Sequence, residues 1–251
     1  MYTPTTTTAA TRLSIFLLLA EALPTEGSRT HKGIHNPANW PAPIWHNQTL
    51  QVKLLAESHV ARCQEHRVQL PDGKGVADNW VYFDERPHIN VLVRLKDGNK
   101  FVVFRQRKYA TEGETLAPVG GYIENGETPT AAAKRELEEE LGLRTPKMQF
   151  LGSFISSANR GGGRFYTFFA DQCVALSADR PSTVATIQAG GVDVEAQRVV
   201  LLSRNELREA VLSSRFQEAK WTATVALALL NIEEDGTAAR PPNARLCVTP
   251  L

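Results

Sequence analysis

Residues 121–143 read Gly-Tyr-Ile-Glu-Asn-Gly-Glu-Thr-Pro-Thr-Ala-Ala-Ala-Lys-Arg-Glu-Leu-Glu-Glu-Glu-Leu-Gly-Leu, and they constrain this chain more than any other stretch. Thr128 followed by Pro129 is a helix start: the hydroxyl can accept from an orphan amide, and proline at the first helical position gives up no needed donor. Ala131, Ala132, Ala133 and Lys134 are good helix formers, and Gly142 is the residue a helix uses to stop in the left-handed conformation. At about 100° per residue, Ala133, Leu137 and Leu141 form one apolar stripe facing a core. Glu136, Glu139 and Glu140 gather on a neighbouring edge, while Glu138 points away to solvent.

Carboxylates three and four residues apart on one helix edge repel, at a few tenths of a kcal/mol per pair. A hard divalent cation reverses that sign, because Mg²⁺ and Mn²⁺ prefer oxygen ligands. Arg135 shares a side with Glu139 and can orient the carboxylates, with Glu127 as its partner ahead of the helix. Gly120 and Gly121 are expected to let the chain turn tightly and bring a backbone carbonyl near the metals. A merely solvated acidic face would require none of these glycine and arginine positions.

The segment resembles the Nudix box, Gly-x5-Glu-x7-Arg-Glu-U-x-Glu-Glu-x-Gly-U with U aliphatic, at Gly121, Glu127, Arg135, Glu136, Leu137, Glu139, Glu140, Gly142 and Leu143. Weaker similarity to the ADP-ribose and nucleoside-diphosphate-sugar pyrophosphatases of that family runs from about Trp80 to Leu230. It includes 101–109 before the box, 151–157 and 165–170 after it, and Asp193-Val-Glu195 followed by 198–203. The resemblance implies an α+β fold, a mixed β-sheet sandwiched between α-helices. It implies a metal site of Glu136, Glu139, Glu140 and the Gly120 carbonyl, holding two or three Mg²⁺ or Mn²⁺ ions. Asp193 or Glu195 would reach in as general base or extra ligand, Glu139 and Arg135 would serve the chemistry, and Arg107, Lys108 and Arg164 would contact substrate. The implied substrate is a nucleoside diphosphate derivative, ADP-ribose or an ADP-sugar, cleaved to AMP and a sugar phosphate. Other Nudix substrates (a dinucleoside polyphosphate, NADH, a nucleoside triphosphate or capped RNA) and a non-catalytic nucleotide-binding module are the alternatives. The chain departs from the pyrophosphatase pattern at Lys108, where arginine is usual and a bidentate phosphate contact becomes a point charge, and at Ala117, where a substrate-contacting glutamate is usual.

The rest of the chain frames that domain. A length of 251 residues and 42% hydrophobic content allow one real core, and a net charge of +1 gives no sign of a broad polyanion-binding groove. Cys63, Cys173 and Cys247 have no metal-like spacing and read as free thiols. Residues 1–30, threonine-rich with a short apolar run at 13–20, read as a targeting or disordered segment: a secretory signal, an organellar transit peptide, or neither. Residues 31–85 read as an N-terminal arm, anchored by Trp40 and Trp45, and a small sheet built from 50–56, 60–70 and 79–83, a region that in the resembling enzymes helps build a homodimer. Residues 86–232 are the catalytic domain, opening with a hairpin of 89–95 and 101–107, and 233–251 a flexible tail. The glycines of 159–164 fit either a phosphate-wrapping loop or a plain hairpin turn between strands at 150–155 and 164–170. Helices are predicted over 204–213 and 216–232.

Overall fold

The computed structural model describes residues 46–71, 73–176 and 197–234. The targeting segment, the tryptophan arm, the Asp193–Glu195 loop and the C-terminal tail lie outside them.

Among the described residues, β1 (Thr49–Glu57), β2 (Ala61–Gln69) and β3 (Val76–Glu85) form an antiparallel meander. β4 (His88–Leu95) and β5 (Phe101–Gln106) make the predicted hairpin, with Gly98 and Asn99 in the left-handed conformation its turn requires. Short strands β6 (Thr115–Ala117) and β7 (Val119–Tyr122) lead into helix α1 (Pro129–Leu141). β8 (Leu143–Arg144), β9 (Lys147–Ser157), β10 (Gly161–Ala175) and β11 (Arg198–Leu202) follow, then α2 (Arg204–Leu212) and α3 (Ala219–Glu234). The strands join in the order β1-β2-β3-β10-β4-β5-β11, with β7 on β4, β6 on β5, and β8 and β9 on β10. β10 runs parallel to β4 and antiparallel to β9, so the sheet is mixed.

The two faces of β4 explain the layering. Ile89, Val91 and Val93 point one way, into a core shared with Ala132, Ala133, Leu137 and Leu141 of α1. Leu92 points the other way, into a core with Leu207 and Ala210 of α2 and Val225, Ala228 and Leu229 of α3. Each fully buried leucine contributes roughly 1.5–3 kcal/mol of transfer free energy, so the α1 stripe fixes which helix edge is left facing out.

Two expectations change. α3 begins at Ala219 rather than Phe216, because Phe216 is buried as core and Gln217 hydrogen-bonds the backbone of Glu112 and Glu114 instead of continuing a helix. The glycines 161–163 lie within β10, not in a loop. All three have positive φ, and a Cβ at Gly161 would come within 2.5 Å of the Phe83 carbonyl oxygen and one at Gly163 within 2.8 Å of that of Glu85. They bring β10 against β3, and Phe83 N–H donates to Arg160 O at 2.8 Å. A phosphate-wrapping loop is thereby replaced by a seam joining the N-terminal meander to the main sheet.

Candidate active site

The box helix starts and stops as its sequence dictates. Ala131 N–H donates to Thr128 Oγ1 at 3.2 Å, and Gly142 ends α1 with φ of 60°. Between those caps Arg135 organises the acidic edge. Its Nε and Nη2 donate to the two oxygens of Glu127, each at 3.0 Å. Nη1 donates to Glu136 at 2.7 Å and Glu139 at 3.0 Å, and Nη2 also reaches the Tyr122 carbonyl at 3.0 Å. One planar fork thus ties helix, preceding loop and β7 together, as only a guanidinium can. Its hydrogen bond holds Glu127 below the usual carboxylate range, whereas burial pushes Glu136 up, with Arg135 opposing that rise.

Gly120 and Gly121 are strand residues in β7, not a turn. Their need is for close approach. A Cβ at Gly121 would lie 2.0 Å from Glu136 Oε1, and one at Gly120 would lie 3.0 Å from Asn90 Oδ1. Glu136 therefore lies across the β7 backbone next to the Gly120 peptide, while Glu139 is exposed and Glu140 half-buried along the same helix edge.

Among the described residues no three His, Cys, Asp or Glu side chains come together as a preformed metal cage; Arg135 holds two of the three carboxylates. The donor set nevertheless suits a hard cation: carboxylate oxygens on one helix turn beside a backbone carbonyl, with Glu136 seated in a cradle that any side chain at 121 would fill. Arg107 and Lys108 sit exposed just beyond β5, in a loop fixed by Lys108 N–H to Thr111 Oγ1 at 3.2 Å. Arg164 lies on β10, and its Nη1 donates to Ser153 Oγ at 3.3 Å. Asp193 and Glu195 fall outside the described residues.

Two features escaped sequence reading. Gln217, outside the box, staples the 107–114 loop through the hydrogen bonds to Glu112 and Glu114. Asn90 stands directly across from Gly120, and a polar residue amid apolar strand residues was the one signal that could have found it.

Comparison with known proteins identifies the family. The Nudix domain model matches residues 84–225, more than half the chain. The methanol dehydrogenase activator of Bacillus methanolicus is 24% identical over 191 residues, covering 76% of this chain and 96% of that protein. The ADP-ribose pyrophosphatase of Bacillus subtilis (strain 168) is 27% identical over 113 residues, covering 45% of this chain and 60% of that protein. The crystal structure of an ADP compounds hydrolase shares the fold with a TM-score of 0.58 at 20% identity, covering 76% of this chain and 96% of that one. With the full set of box carboxylates and both glycines in place, the chain belongs to the Nudix family and is a Nudix hydrolase.

Proposed function

We propose that the protein is a divalent-metal-dependent pyrophosphohydrolase that cleaves a nucleoside diphosphate derivative, ADP-ribose or an ADP-sugar, to AMP and a sugar phosphate. The observation that carries this reading is the Arg135-ordered edge of Glu136, Glu139 and Glu140 laid against the Gly120-Gly121 backbone. The likeness to the Bacillus subtilis ADP-ribose pyrophosphatase supports the substrate class.

Glu136, Glu140, Glu139 and the Gly120 carbonyl would hold Mg²⁺ or Mn²⁺. A cation bound there acidifies the attacking water and neutralises charge on the diphosphate. Arg135 keeps the carboxylates oriented, with Glu127 taking two of its donors so that it does not quench the rest. Arg107, Lys108 and Arg164 supply positive charge for the phosphates, and a late carboxylate, Asp193 or Glu195, takes the proton from water. The protein's share is positioning and electrostatics.

A homodimer fits the N-terminal meander. Leu50, Val52 and Leu54 alternate along β1 at 55, 49 and 52% exposure, which a lone edge strand would leave open to another chain. Among the described residues no helix is long and apolar enough to cross a membrane.

The test is product analysis with Mg²⁺ or Mn²⁺ on ADP-ribose, ADP-glucose, NADH, diadenosine polyphosphates, a nucleoside triphosphate and capped RNA. AMP plus ribose 5-phosphate from ADP-ribose is expected, and Glu140→Gln should lower turnover at least about a hundredfold, beyond the usual cost of losing an outer-shell partner, while the fold survives. Preference for a nucleoside triphosphate or a cap would overturn the substrate; undiminished turnover by Glu140→Gln would overturn the site.

A further inference from the structure

The strand that enters the box is held on two sides by two different arginines. β7 pairs antiparallel with the start of β4, Tyr122 opposite His88 and Gly120 opposite Asn90. Ile123 N–H extends that ladder by donating to Pro87 O at 2.9 Å. Opposed residues in an antiparallel ladder alternate between bonded and non-bonded pairs. Ile123 turns its backbone groups toward the β4 side, so Tyr122 and Gly120 turn theirs away from it. The Tyr122 carbonyl accordingly accepts from Arg135 Nη2 at 3.0 Å. By the same alternation the Gly120 carbonyl opens on the edge of β7 where Arg135 stands.

The next carbonyl along, Ile123 O, points the other way and is taken by Arg86 Nη2 at 3.1 Å. Ile123 is only 8% exposed, which leaves its carbonyl little water to bond in place of Arg86. The same guanidinium lies over the Tyr122 ring, with Cζ 5.4 Å from the centroid, a cation–π contact. Arg86 is itself anchored on the link between β3 and β4. Its N–H donates to Val60 O at 2.9 Å, and its carbonyl accepts from His88 Nδ1 at 3.2 Å.

Beyond Ile123 the chain closes back on Arg135. Glu124 N–H donates to Glu127 Oε2 at 3.1 Å, and that oxygen also accepts from Arg135 Nη2 at 3.0 Å. Residues 122–127 are thus suspended between two guanidiniums, Arg86 on one side and Arg135 on the other. Arg135 in turn holds Glu136 and Glu139. Each step from Arg86 to the acidic edge is a direct contact.

We propose that Arg86 is a positioning residue for the metal site. By holding Ile123 O and the Tyr122 ring, it sets the end of β7 so that the Gly120 carbonyl and the carboxylates ordered by Arg135 face one cation. It touches no reacting atom, and the inference rests on the reading of Gly120 and the box glutamates as metal ligands. An arginine that merely bolted β7 to the β3–β4 link would add stability and leave metal affinity in the folded protein alone.

Mn²⁺ titration of the full chain without substrate, followed by the EPR signal of free Mn²⁺, separates the two roles. Arg86→Met keeps the stem, removes the guanidinium, and should weaken Mn²⁺ binding about tenfold, the lower end for lost outer-shell partners. Arg86→Lys keeps a charge over the ring but not the fork, and should recover part of that loss, remaining a few-fold weaker than the unaltered protein. Combined with Arg135→Lys, Arg86→Met should cost less than the product of the two single effects, because both act through residues 122–127. Thermal melting checks that each variant is folded, and Arg86→Lys decides the matter if Arg86→Met is not. Unchanged Mn²⁺ affinity in the deciding variant, or fully independent effects in the double variant, overturns the proposal. Failure of the unaltered protein to bind Mn²⁺ would instead overturn the metal site, and this inference with it.

Discussion

The Glu136 carboxylate lies over the Cα of Gly121, so close that a Cβ at that position would sit 2.0 Å from Oε1. The first glycine of the box is therefore required by contact and not by backbone conformation, since its φ is not positive. Gly121→Ala must push Glu136 off β7. A displacement near 1 Å at a reacting centre costs about a hundredfold in rate, so kcat/KM should fall by roughly that factor while the thermal melting temperature changes little. Full activity in Gly121→Ala would show that Glu136 works from another position.

Arg135 bonds three carboxylates and one carbonyl from a side chain only 23% exposed. Lysine keeps the charge but not the fork. Arg135→Lys should lose on the order of 2 kcal/mol of stability, the scale of one or two charge-assisted hydrogen bonds, and turnover should fall because Glu136 and Glu139 are no longer held. Chemical denaturation and steady-state kinetics on one preparation check both.

His88 is buried between Phe165 and Tyr122, its ring held by Nδ1 to Arg86 O at 3.2 Å. Burial, reinforced by the charge of Lys220, lowers its pKa from 6.5 to about 4. The unfolded chain therefore binds this proton more readily than the folded one. The stabilisation is complete above pH 6.5 and is lost as pH falls toward about 4, at up to roughly 1.4 kcal/mol per pH unit. His88→Phe should flatten that part of the stability–pH curve, measured by urea melts at about pH 7, 5.5 and 4.5, a span chosen to bracket the linkage. An unchanged slope would mean that His88 titrates normally in the folded protein.

Gly161 combines a φ of 80° with a separation of only 2.5 Å between the place a Cβ would occupy and Phe83 O. Gly161→Ala meets a left-handed penalty of about 1–2 kcal/mol and a steric conflict with β3. Hydrogen exchange should speed up at Phe83, whose amide donates across this seam, and in β1–β3, while amides of β4 and β5 stay protected. Equal protection throughout would show that the meander does not depend on the seam.

Local sequence rules reached far into this fold. The caps at Thr128 and Gly142, the Ala133–Leu137–Leu141 stripe, the Glu127–Arg135 pair and the β4–β5 hairpin all follow from spacing and residue type, because each involves neighbours a few residues apart. The glycines at 161–163 were ambiguous because a turn and a close strand approach select the same residue. Only the partner strand distinguishes them, and Phe83 lies far from Gly161 in the chain. Gln217 and Asn90 were illegible for the same reason: each side chain meets a backbone that tertiary folding brings to it.

By itself, the amino-acid sequence determined the box helix, the edge its carboxylates occupy and the family to which they belong, since a helix's own period decides which side chains share a face. The tertiary structure alone decided that Gly120 and Gly121 are strand residues pressed by Asn90 and Glu136, and that the glycine run is a seam between strands. Those assignments depend on which backbones approach within a few ångströms, a distance that packing of the two cores sets and that no local pattern encodes.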